Sequence, residues 1–397
     1  MFEKLNTIES DAILGIMTLY NDDNAANKIN LSIGVYQDEG GITPVMSSVK
    51  KAETKLIKNQ LTKTYVGIAG QLKFNQAIET LVLGADHEVI KSQRIATIQT
   101  PGGSGGLSVA AHVIQRAKAG AIVWASDPTW PNHIPLLSTA GLALKTYPYY
   151  DRQSHSIKFD EMLSCLNEAN QGDIVLLHGC CHNPCGADLN EAQWSQIADL
   201  CLERDLIPLI DLAYLGLGDG LEQDAIGIKV LANKLPELIL VVSCSKNLGL
   251  YKERVGTTSI ISSCLGDKEK AFSNLTNVAR SIYSMPPDHG AAIALEVLSN
   301  TDLTLEWKKE LSEVRERIKN IRYLLSSSLN SVQSNIDFSF IENEKGMFSF
   351  LGLSKDQVIE LREKYHIYLV ESSRVNITGI NSKNLDYLIE SIARVLS

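Results

Sequence analysis

The sequence predicts an α/β fold with a mostly parallel central sheet and a second, smaller α+β domain. Five short apolar runs end in a small polar or charged residue, and the gaps between them are long enough for helices. Unbroken apolar runs are typical of strands that are buried on both faces. Strands that alternate with helices favour a parallel sheet. The runs are 94–100, 121–126, 173–181, 206–214 and 237–245.

Helical periodicity supports both parts of this prediction. The segment EAQWSQIADLCLE places Trp194, Ile197, Ala198, Cys201 and Leu202 on one face of a helix. A second apolar stripe predicts a long helix in the last third of the chain; its members are Leu311, Val314, Ile318, Ile321 and Leu325. Three short strand candidates and a closing helix follow, which is why we expect a smaller α+β domain there.

Composition excludes several classes of protein. The net charge is −9 over 397 residues, and no long basic run is present, so nucleic acid is not the expected partner. No apolar run approaches the roughly 18 residues of a membrane span, and the first residues lack a signal-peptide core. Seven cysteines are an odd number, and a chain of this size does not need disulfides. We therefore expect a cytoplasmic protein with reduced thiols.

A glycine-rich turn follows the first apolar run. The segment TPGGSGGL, residues 100–107, lies between a predicted strand and a predicted helix. Glycines let backbone N–H groups approach an anion, and a helix N-terminus favours negative charge. The dinucleotide-binding and P-loop patterns are both absent. The turn is either a phosphate site of another kind or simply a turn.

The segment HGCCHNPCGADL, residues 178–189, invites a metal interpretation because it holds two histidines and three cysteines. The spacing argues against a metal, since no C-x-x-C pair is present and adjacent cysteines on a strand point to opposite faces. The simpler interpretation is a tight turn around Asn183–Pro184, whose peptide bond is a candidate for the cis form. Asn183 would then offer its amide to a ligand.

Two charged residues occupy the ends of buried strands. Asp211 interrupts the run PLIDLAY, and Lys246 follows the run ELILVVSCS, with Arg254 shortly after it. Taken alone, Asp211 is explained by a structural ion pair and Lys246 by an amine that points into solvent. Together with the glycine turn and Asn183, they form the set that pyridoxal 5′-phosphate requires: an amine for a Schiff base, a carboxylate for the pyridine nitrogen and donors for the phosphate.

The motifs resemble the class I aminotransferases of fold type I, in particular the bacterial aspartate and aromatic amino-acid aminotransferases. The resemblance covers nearly the whole chain, and its motifs are SIGVYQDE, QTPGGSGGL, SDPTWPNH, HGCCHNPCGADL, DLAY, SCSKNLGLYKERVG and GMFSF. It implies a large pyridoxal-phosphate-binding domain over 38–310 and a small domain, with an N-terminal arm, formed by 1–37 and 311–397.

The resemblance also implies roles in holding the cofactor. Lys246 would form the Schiff base and then move the proton, while Asp211, backed by His133, would pair with the pyridine nitrogen. Trp130 would stack on the ring. Tyr214 and Asn183 would hydrogen-bond the phenolic oxygen of the ring. The phosphate would be held by Gly102, Gly103, Ser104, Ser243, Arg254 and, from the other subunit, Tyr65.

For the substrate, the resemblance implies two cationic forks. Arg374 would bind the α-carboxylate, with help from the backbone of Gly34 and from Asn183, and Trp130 would border the amino acid. Arg280 would reach across a homodimer with shared active sites to the side-chain carboxylate of aspartate or glutamate. Arginine suits both positions because its planar donors match a carboxylate. No metal is expected.

Four positions depart from the family pattern without removing a catalytic group. Cys185 stands where threonine is usual, Leu215 where glutamine is usual, Met285 where asparagine or serine is usual, and Ser373 where glycine is usual. Other motifs are mixed: HGCCHNP, TKTYVGIAG and YSMPP favour aspartate enzymes, whereas Ser104, SDPTW and GADL favour aromatic ones.

The leading hypothesis is therefore transamination between L-aspartate and 2-oxoglutarate, which gives oxaloacetate and L-glutamate. An aromatic amino-acid aminotransferase is the alternative on the same scaffold, and β-elimination is a possible side reaction. A different class of protein, a non-enzymatic metal- or ligand-binding protein, would be built on Cys180, Cys181, His178 and His182.

Overall fold

The computed structural model describes residues 1–6, 12–332 and 336–397 of the chain. It divides into two compact units: a larger one of 44–317 and 344–346, and a smaller one of 1–43, 318–343 and 347–397. The sequence analysis expected the boundaries at 37/38 and 310/311 and placed 344–346 in the small domain. Among the described helices, none combines the length and apolar character that a membrane span needs.

The strands in chain order are β1 (Ile29–Asn30), β2 (Ile95–Pro101), β3 (Ile122–Asp127), β4 (Ala143–Pro148), β5 (Tyr150–Asp151), β6 (Ser156–Ile157), β7 (Ile174–His178), β8 (Ile207–Leu212), β9 (Leu238–Ser243), β10 (Val255–Ile261), β11 (Phe348–Phe350), β12 (Ile367–Tyr368) and β13 (Arg374–Asn376).

The α-helices are α1 (Ala12–Asp22), α2 (Ser47–Asn59), α3 (Leu72–Leu83), α4 (Glu88–Lys91), α5 (Gly102–Ala117), α6 (His133–Ser138), α7 (Phe159–Leu166), α8 (Glu191–Arg204), α9 (Leu221–Asp224), α10 (Ile226–Lys234), α11 (Leu265–Ile282), α12 (His289–Ser299), α13 (Thr301–Val332), α14 (Phe340–Asn343), α15 (Lys355–Tyr365) and α16 (Leu385–Leu396). Two short 3₁₀ helices span Phe2–Lys4 and Ile377–Gly379.

A seven-stranded sheet forms the centre of the larger unit. Its strand order is β2-β10-β9-β8-β7-β3-β4, and all neighbours are parallel except that β10 runs antiparallel to both β2 and β9. The five apolar runs are β2, β3, β7, β8 and β9, so these predicted strands and the mostly parallel sheet are confirmed. The sequence analysis missed β10, which carries buried Thr and Ser, and the edge strand β4.

Strand register explains why distant residues meet at one end of this sheet. His178 at the end of β7 pairs with Asp211 in β8. Val255 at the start of β10 pairs with Pro101 at the end of β2, which brings Arg254 next to Gly102. Because parallel strands end at the same edge, Lys246 after β9 also belongs to this edge.

Helix α5 buries its apolar face on the sheet. Leu107, Ala110 and Ile114 pack in one core cluster with side chains from the strands, among them Val123 and Val241. Burial of such a side chain contributes about 1.5–3 kcal/mol. The helix that supplies the glycine turn is thus fixed along its length.

Helix α8 confirms the predicted pattern at four of five positions. Asn190 and Gln193 form a capping box at its start. Its buried positions are Trp194, Ile197, Ala198 and Cys201. The prediction for Leu202 is wrong, because this side chain is exposed.

The smaller unit is built around two short two-stranded sheets, β11 with β13 and β1 with β12. Phe350 in β11 pairs with Arg374 in β13. The guanidinium of Arg322, buried in α13, donates to the carbonyls of Ile341 and Phe348 at 2.9 and 2.7 Å. A buried cation is tolerated because its hydrogen bonds replace those to water.

Candidate active site

Lys246 lies at the start of the turn after β9, with its Nζ 4.9 Å from the centre of the Tyr214 ring. Burial lowers the pKa of this amine, and the positive charge of Arg254 lowers it further, while Asp211 opposes both effects. The environment therefore favours the neutral, nucleophilic amine more than water does. A lysine must be a neutral amine to form a Schiff base, so this environment suits that role.

Asp211 is a buried carboxylate held by a chain of hydrogen bonds. Its Oδ2 lies 3.0 Å from Nε2 of His133, and Nδ1 of His133 lies 2.9 Å from Oγ1 of Thr129. The same Thr129 oxygen lies 3.0 Å from Nε2 of His178. Burial acts to raise the pKa of Asp211, but the hydrogen bond with His133 and the electrostatic effects of His133, His178 and Lys246 outweigh it, so the pKa is lowered. Asp211 is therefore an anion ready to pair with a protonated nitrogen.

His178, at the far end of this chain of bonds, is neutral. Burial and the neighbouring His133 lower its pKa to about 3. Its ring contacts the His133 ring edge-to-face, with centroids 5.1 Å apart. His178 thus fixes the orientation of Thr129 and His133 without adding a charge to the site.

The glycine turn and Arg254 form a compact donor set. Gly102 begins α5 at φ +69°, and a Cβ there would overlap the guanidinium of Arg254. A Cβ on Gly103 would lie 3.1 Å from the Cβ of Ser243. Arg254 Nη1 donates to Ser245 Oγ at 3.3 Å and to the Tyr251 carbonyl at 3.1 Å. Cation, hydroxyls and helix N-terminus converge as they do in anion sites.

The predicted turn at Asn183 is present, with a cis Asn183–Pro184 bond as expected. A second cis bond joins Asp127 to Pro128. The Asn183 amide is buried and its Nδ2 lies 3.5 Å from Oη of Tyr214. The two groups predicted to share one ligand oxygen are therefore adjacent.

Trp130 and Ser104 complete the larger unit's part of the predicted site. Trp130 is half-buried, and its ring meets His133 edge-to-face at a centroid distance of 5.1 Å. Ser104 lies in the first turn of α5, beside Gly102 and Gly103. The larger unit thus brings together Lys246, Asp211, Tyr214 and the phosphate-binding candidates.

The other predicted residues lie elsewhere. Gly34 and Arg374 belong to the smaller unit, where Arg374 Nη2 donates to the Ser32 carbonyl at 2.7 Å. The guanidinium lies 4.6 Å from the centre of the Phe348 ring, and a Cβ on Gly34 would approach the same ring to 3.6 Å. This strand, ring and glycine form a preorganised setting for a planar cation.

Tyr65 and Arg280 lie on the surface of the larger unit. Tyr65 is 90% exposed. Arg280, in the last turn of α11, is also exposed and donates to Ser284 Oγ. Neither is among the contacts of Lys246 or Asp211 described above, so their predicted roles depend on a second protomer.

The structure corrects one argument about the cysteines. Cys180 and Cys181 were expected to point to opposite faces of a strand, but β7 ends at His178 and Cys181 has φ +50°. Both thiols instead approach the Asp224 carboxylate, all three ligand atoms lying within 4.8 Å of one another. The Asp224 oxygens accept N–H bonds from Gly216, Gly218 and Asp219 at 2.8–3.0 Å. A hydrogen bond with Cys181 and burial raise the pKa of Cys180, which favours the thiol over a metal-binding thiolate.

Ser373 shows what one departure from the family pattern requires. Its φ is +68°, a conformation that glycine adopts without strain. The serine is buried, and its Oγ accepts the Leu353 N–H at 3.0 Å while its own N–H donates to the Val370 carbonyl at 2.8 Å. These bonds hold the turn that precedes Arg374.

The other three residues that depart from the family pattern are either buried or hydrogen-bonded. Cys185 is fully buried with its Sγ 3.2 Å from Nδ1 of His182, and Leu215 is fully buried in the core. The Met285 N–H donates to the Tyr283 carbonyl at 2.8 Å.

Sequence reasoning missed several polar residues that support this site. Thr129 and His178 orient His133, Ser245 binds Arg254, and Asp188 accepts the N–H groups of Cys181 and His182 at 2.7 and 2.9 Å. Thr129, His178 and Ser245 all stand where a strand of the parallel sheet gives way to a loop. Their position at the end of a predicted strand is the feature of the sequence by which these three residues could have been found.

We expect Gly102→Ala to weaken the binding of pyridoxal phosphate about tenfold or more, since the new Cβ displaces Arg254 and a hydrogen bond to a charged group contributes about 1.5–3 kcal/mol. Equilibrium dialysis of the cofactor measures the effect. Gly84→Ala is the control, because Gly84 also has positive φ, +90°, but nothing lies within 4 Å of its Cβ position. Equal affinities for the two variants would contradict the assignment of this turn.

Comparisons with known proteins agree with the geometry. Residues 26–392 match the family described as "Aminotransferase class I and II". The chain is 44% identical to the aspartate aminotransferase of Escherichia coli (strain K12), with 100% of both chains covered. It is 41% identical to the aromatic-amino-acid aminotransferase of Pseudomonas aeruginosa, covering 99% of this chain and 98% of that one.

A solved structure shows the same fold over its whole length. It is the aromatic-amino-acid aminotransferase of Burkholderia pseudomallei, covalently bound to pyridoxal phosphate, which matches with a TM-score of 0.98, 38% identity and 100% coverage of both chains. The fold of type I pyridoxal-phosphate transferases is thereby confirmed. These matches overturn the hypothesis of a non-enzymatic metal- or ligand-binding protein, because they show that the chain is an enzyme. The chain belongs to the class I and II aminotransferases, a family of pyridoxal-phosphate-dependent enzymes.

Proposed function

We propose that this enzyme transfers the amino group of L-aspartate to 2-oxoglutarate, giving oxaloacetate and L-glutamate. The observation that carries the proposal is that Lys246, with its lowered pKa, is buried within electrostatic reach of the buried anion Asp211. The donor is inferred from the aspartate aminotransferase of Escherichia coli, the more similar of the two curated relatives.

The residues fit pyridoxal phosphate. A Cβ on Gly102 would overlap the Arg254 guanidinium, and Ser243 stands against Gly103, so a phosphate at this turn would meet a cation, a hydroxyl and a helix N-terminus. Asp211 would accept a hydrogen bond from the pyridine nitrogen, and Lys246 offers the amine. Tyr214 and Asn183 would hold the phenolic oxygen, Trp130 would cover the ring, and Ser104 would add a phosphate contact.

When bound, pyridoxal phosphate supplies an aldehyde for the amino group and a protonated ring that withdraws electrons from Cα. The chain's own residues supply the remaining chemistry. Lys246 Nζ, whose pKa burial lowers, would take the proton from the substrate Cα as a general base. Asp211, oriented by His133, would keep the proton on the ring nitrogen.

Two arginines account for a dicarboxylic substrate. Arg374 would take the α-carboxylate, beside Gly34 and with Asn183, because its guanidinium is already fixed by the Ser32 carbonyl and the Phe348 ring. Fixing the fork in advance lowers the entropy lost on binding. Arg280 would take the side-chain carboxylate. A substrate held at both ends presents its Cα–H in one orientation.

We further propose a homodimer in which Arg280 and Tyr65 serve the partner's active site. The segment around Tyr65 exposes several large apolar side chains, including Leu61, which is 98% exposed, and Ile57. A monomer gains nothing from exposing such groups together, whereas an interface buries them. The cytoplasmic location and the β-elimination side reaction stay predictions.

Replacement of Lys246 by alanine is expected to abolish turnover, because alanine has no amine to form the Schiff base or to take the α-proton. Single-turnover kinetics with L-aspartate, followed by the loss of the visible band of the bound cofactor, measure the effect. Lys252→Ala is the control, since Lys252 is exposed in the same loop. A Lys246→Ala enzyme with a near-normal rate would refute the mechanism.

Arg280→Ala is expected to lower kcat/KM for L-aspartate on the order of 100-fold and to change that for L-phenylalanine much less, because only aspartate loses a charge-assisted pair of about 2–5 kcal/mol. Steady-state kinetics with both donors give the ratio. Equal losses for the two donors would argue against two separate forks. A higher kcat/KM for L-phenylalanine in the unsubstituted enzyme would favour the aromatic alternative.

Mixing the Lys246→Ala and Arg280→Ala proteins is expected to restore activity toward L-aspartate. Random pairing of protomers gives mixed dimers with one intact site, and so roughly a quarter of the unsubstituted rate. The mixture is denatured and refolded together, then assayed against each variant alone. No recovery in a mixture shown to contain mixed dimers would place Arg280 in the active site of its own protomer.

A further inference from the structure

One carboxylate binds the backbone of the two residues that precede Asn183. Asp188 Oδ2 accepts the N–H of Cys181 at 2.7 Å, and its Oδ1 accepts the N–H of His182 at 2.9 Å. Cys181 has φ +50°, a left-handed conformation that its Cβ makes unfavourable. A side chain that binds both N–H groups at once stabilises this conformation. The two bonds therefore fix the path of the chain into Asn183.

The peptide that joins His182 to Asn183 is also held on its carbonyl side. The His182 carbonyl accepts the N–H of Gly186 at 2.7 Å, which closes the turn of residues 182–186. With its N–H on Asp188 and its carbonyl on Gly186, His182 has both backbone groups hydrogen-bonded. The same rigid peptide plane carries the N–H of Asn183, so these bonds set its orientation.

The ring of His182 is packed as closely as its backbone. Its Nε2 lies 3.0 Å from Ser126 Oγ, and the ring stacks on that of Tyr149 with centroids 4.3 Å apart. Burial lowers the pKa of this imidazole, so the ring is neutral. Tyr149 Oη donates to the Ala187 carbonyl at 2.8 Å. Tyr149 therefore supports the turn both at His182 and beside Asp188.

The strength of the two Asp188 bonds depends on the charge of its carboxyl group. Burial raises the pKa of Asp188 to about 6, against the N–H bonds from His182 and Cys181, which lower it. The group is therefore mostly ionised at pH 8, and an ionised acceptor forms the stronger hydrogen bond. An asparagine at this position would have the same shape but only one acceptor oxygen, and its NH₂ group would face a backbone N–H.

The position of Asn183 matters because its side chain lies beside Tyr214. Asn183 is buried, and its Nδ2 lies 3.5 Å from Tyr214 Oη. This distance is close to the upper limit of a hydrogen bond, so a small shift of the turn separates the two groups. Both are proposed donors to the phenolic oxygen of the cofactor, and donors that serve one oxygen must be held to within about 0.5 Å.

We propose that Asp188 is a positioning residue for the cofactor: it binds the N–H groups of Cys181 and His182 and so holds the Asn183 amide beside Tyr214, where both can donate to the phenolic oxygen. The inference rests on the proposed function, because it uses the role of Asn183 given there. Asp188 acts through the backbone of the two residues before Asn183, so it is not a catalytic residue.

The experiment measures the pH at which the visible band of the bound cofactor titrates, in unsubstituted and Asp188→Asn holoenzyme. A donor stabilises the ionised form of the oxygen that it binds, so a lost donor raises this pH midpoint by about 1 unit. Asp188→Asn, which weakens the donor without removing it, is expected to raise the midpoint by about 0.5–1 unit. Release of pyridoxal phosphate at pH 8 is expected to become about three- to tenfold faster.

A double variant tests whether Asp188 acts through Asn183. Asn183→Ala alone is expected to raise the midpoint by about 1 unit. The addition of Asp188→Asn is expected to raise it no further, because the donor that Asp188 positions is already gone. Full additivity of the two shifts would mean that Asp188 influences the cofactor by another route, and the proposal would be wrong.

Asp173 offers a matched control at the opposite end of β7. Its Oδ1 accepts the N–H of Ile122 at 3.1 Å, and its Oδ2 accepts the N–H of Asn170 at 3.0 Å, so it too binds two backbone N–H groups through both oxygens. Asp173→Asn is expected to lower the Tm, as Asp188→Asn does, but to leave the midpoint and the release rate unchanged. An equal shift of the midpoint in the two variants would contradict a specific role for Asp188.

The measurements separate failure of this inference from failure of the proposed function. Neither readout uses an amino acid, so a different donor substrate leaves both intact. If Asn183→Ala shifts the midpoint and Asp188→Asn does not, the inference alone is overturned. If neither variant shifts it, the proposed cofactor role of Asn183 is wrong and the inference falls with it. Asp188→Ala, which removes both acceptors, is expected to give the larger shift, and Asp188→Asn decides the matter if the alanine variant does not fold.

Discussion

The hydrogen bond between His133 and Asp211 is the interaction on which the rest of the site depends. A carboxylate buried at the end of a central strand is costly unless it is paired, and here the pairing makes it a stable anion. That anion lies near an amine whose pKa burial has lowered. Thr129 binds the other nitrogen of this imidazole and His178 binds Thr129, so the histidine that pairs with Asp211 is itself held in place.

The sequence analysis could single out candidates for the reactive groups because strand ends are visible in a sequence. Unbroken apolar runs predicted β2, β3, β7, β8 and β9, and Asp211 and Lys246 stood out where β8 and β9 end. β10 was missed because Thr257, Thr258 and Ser259 interrupt its apolar pattern. They are buried all the same, since β10 lies between two strands and Ser259 Oγ bonds Thr97 Oγ1 at 2.8 Å.

Pattern analysis could not identify the residues that hold the candidate catalytic side chains in place, because these contacts join distant parts of the chain. Thr129 and His178 are 49 positions apart in the sequence, and only the folded chain brings Thr129 Oγ1 to within 3.0 Å of His178 Nε2. The family resemblance supplied roles for Arg374, Arg280 and Tyr65, and those roles remain proposals.

The pairing of β2 with β10 also has a consequence for how the enzyme is made. In the described sheet β2 is an edge strand whose partner is β10, so Gly102 meets Arg254 through contacts that span about 150 residues of chain. On a ribosome, the glycine turn emerges long before its arginine. Contacts of such large sequence separation form slowly. The proposed phosphate site therefore arises late in synthesis, and the nascent chain carries an unpaired β2 edge until β10 has left the exit tunnel.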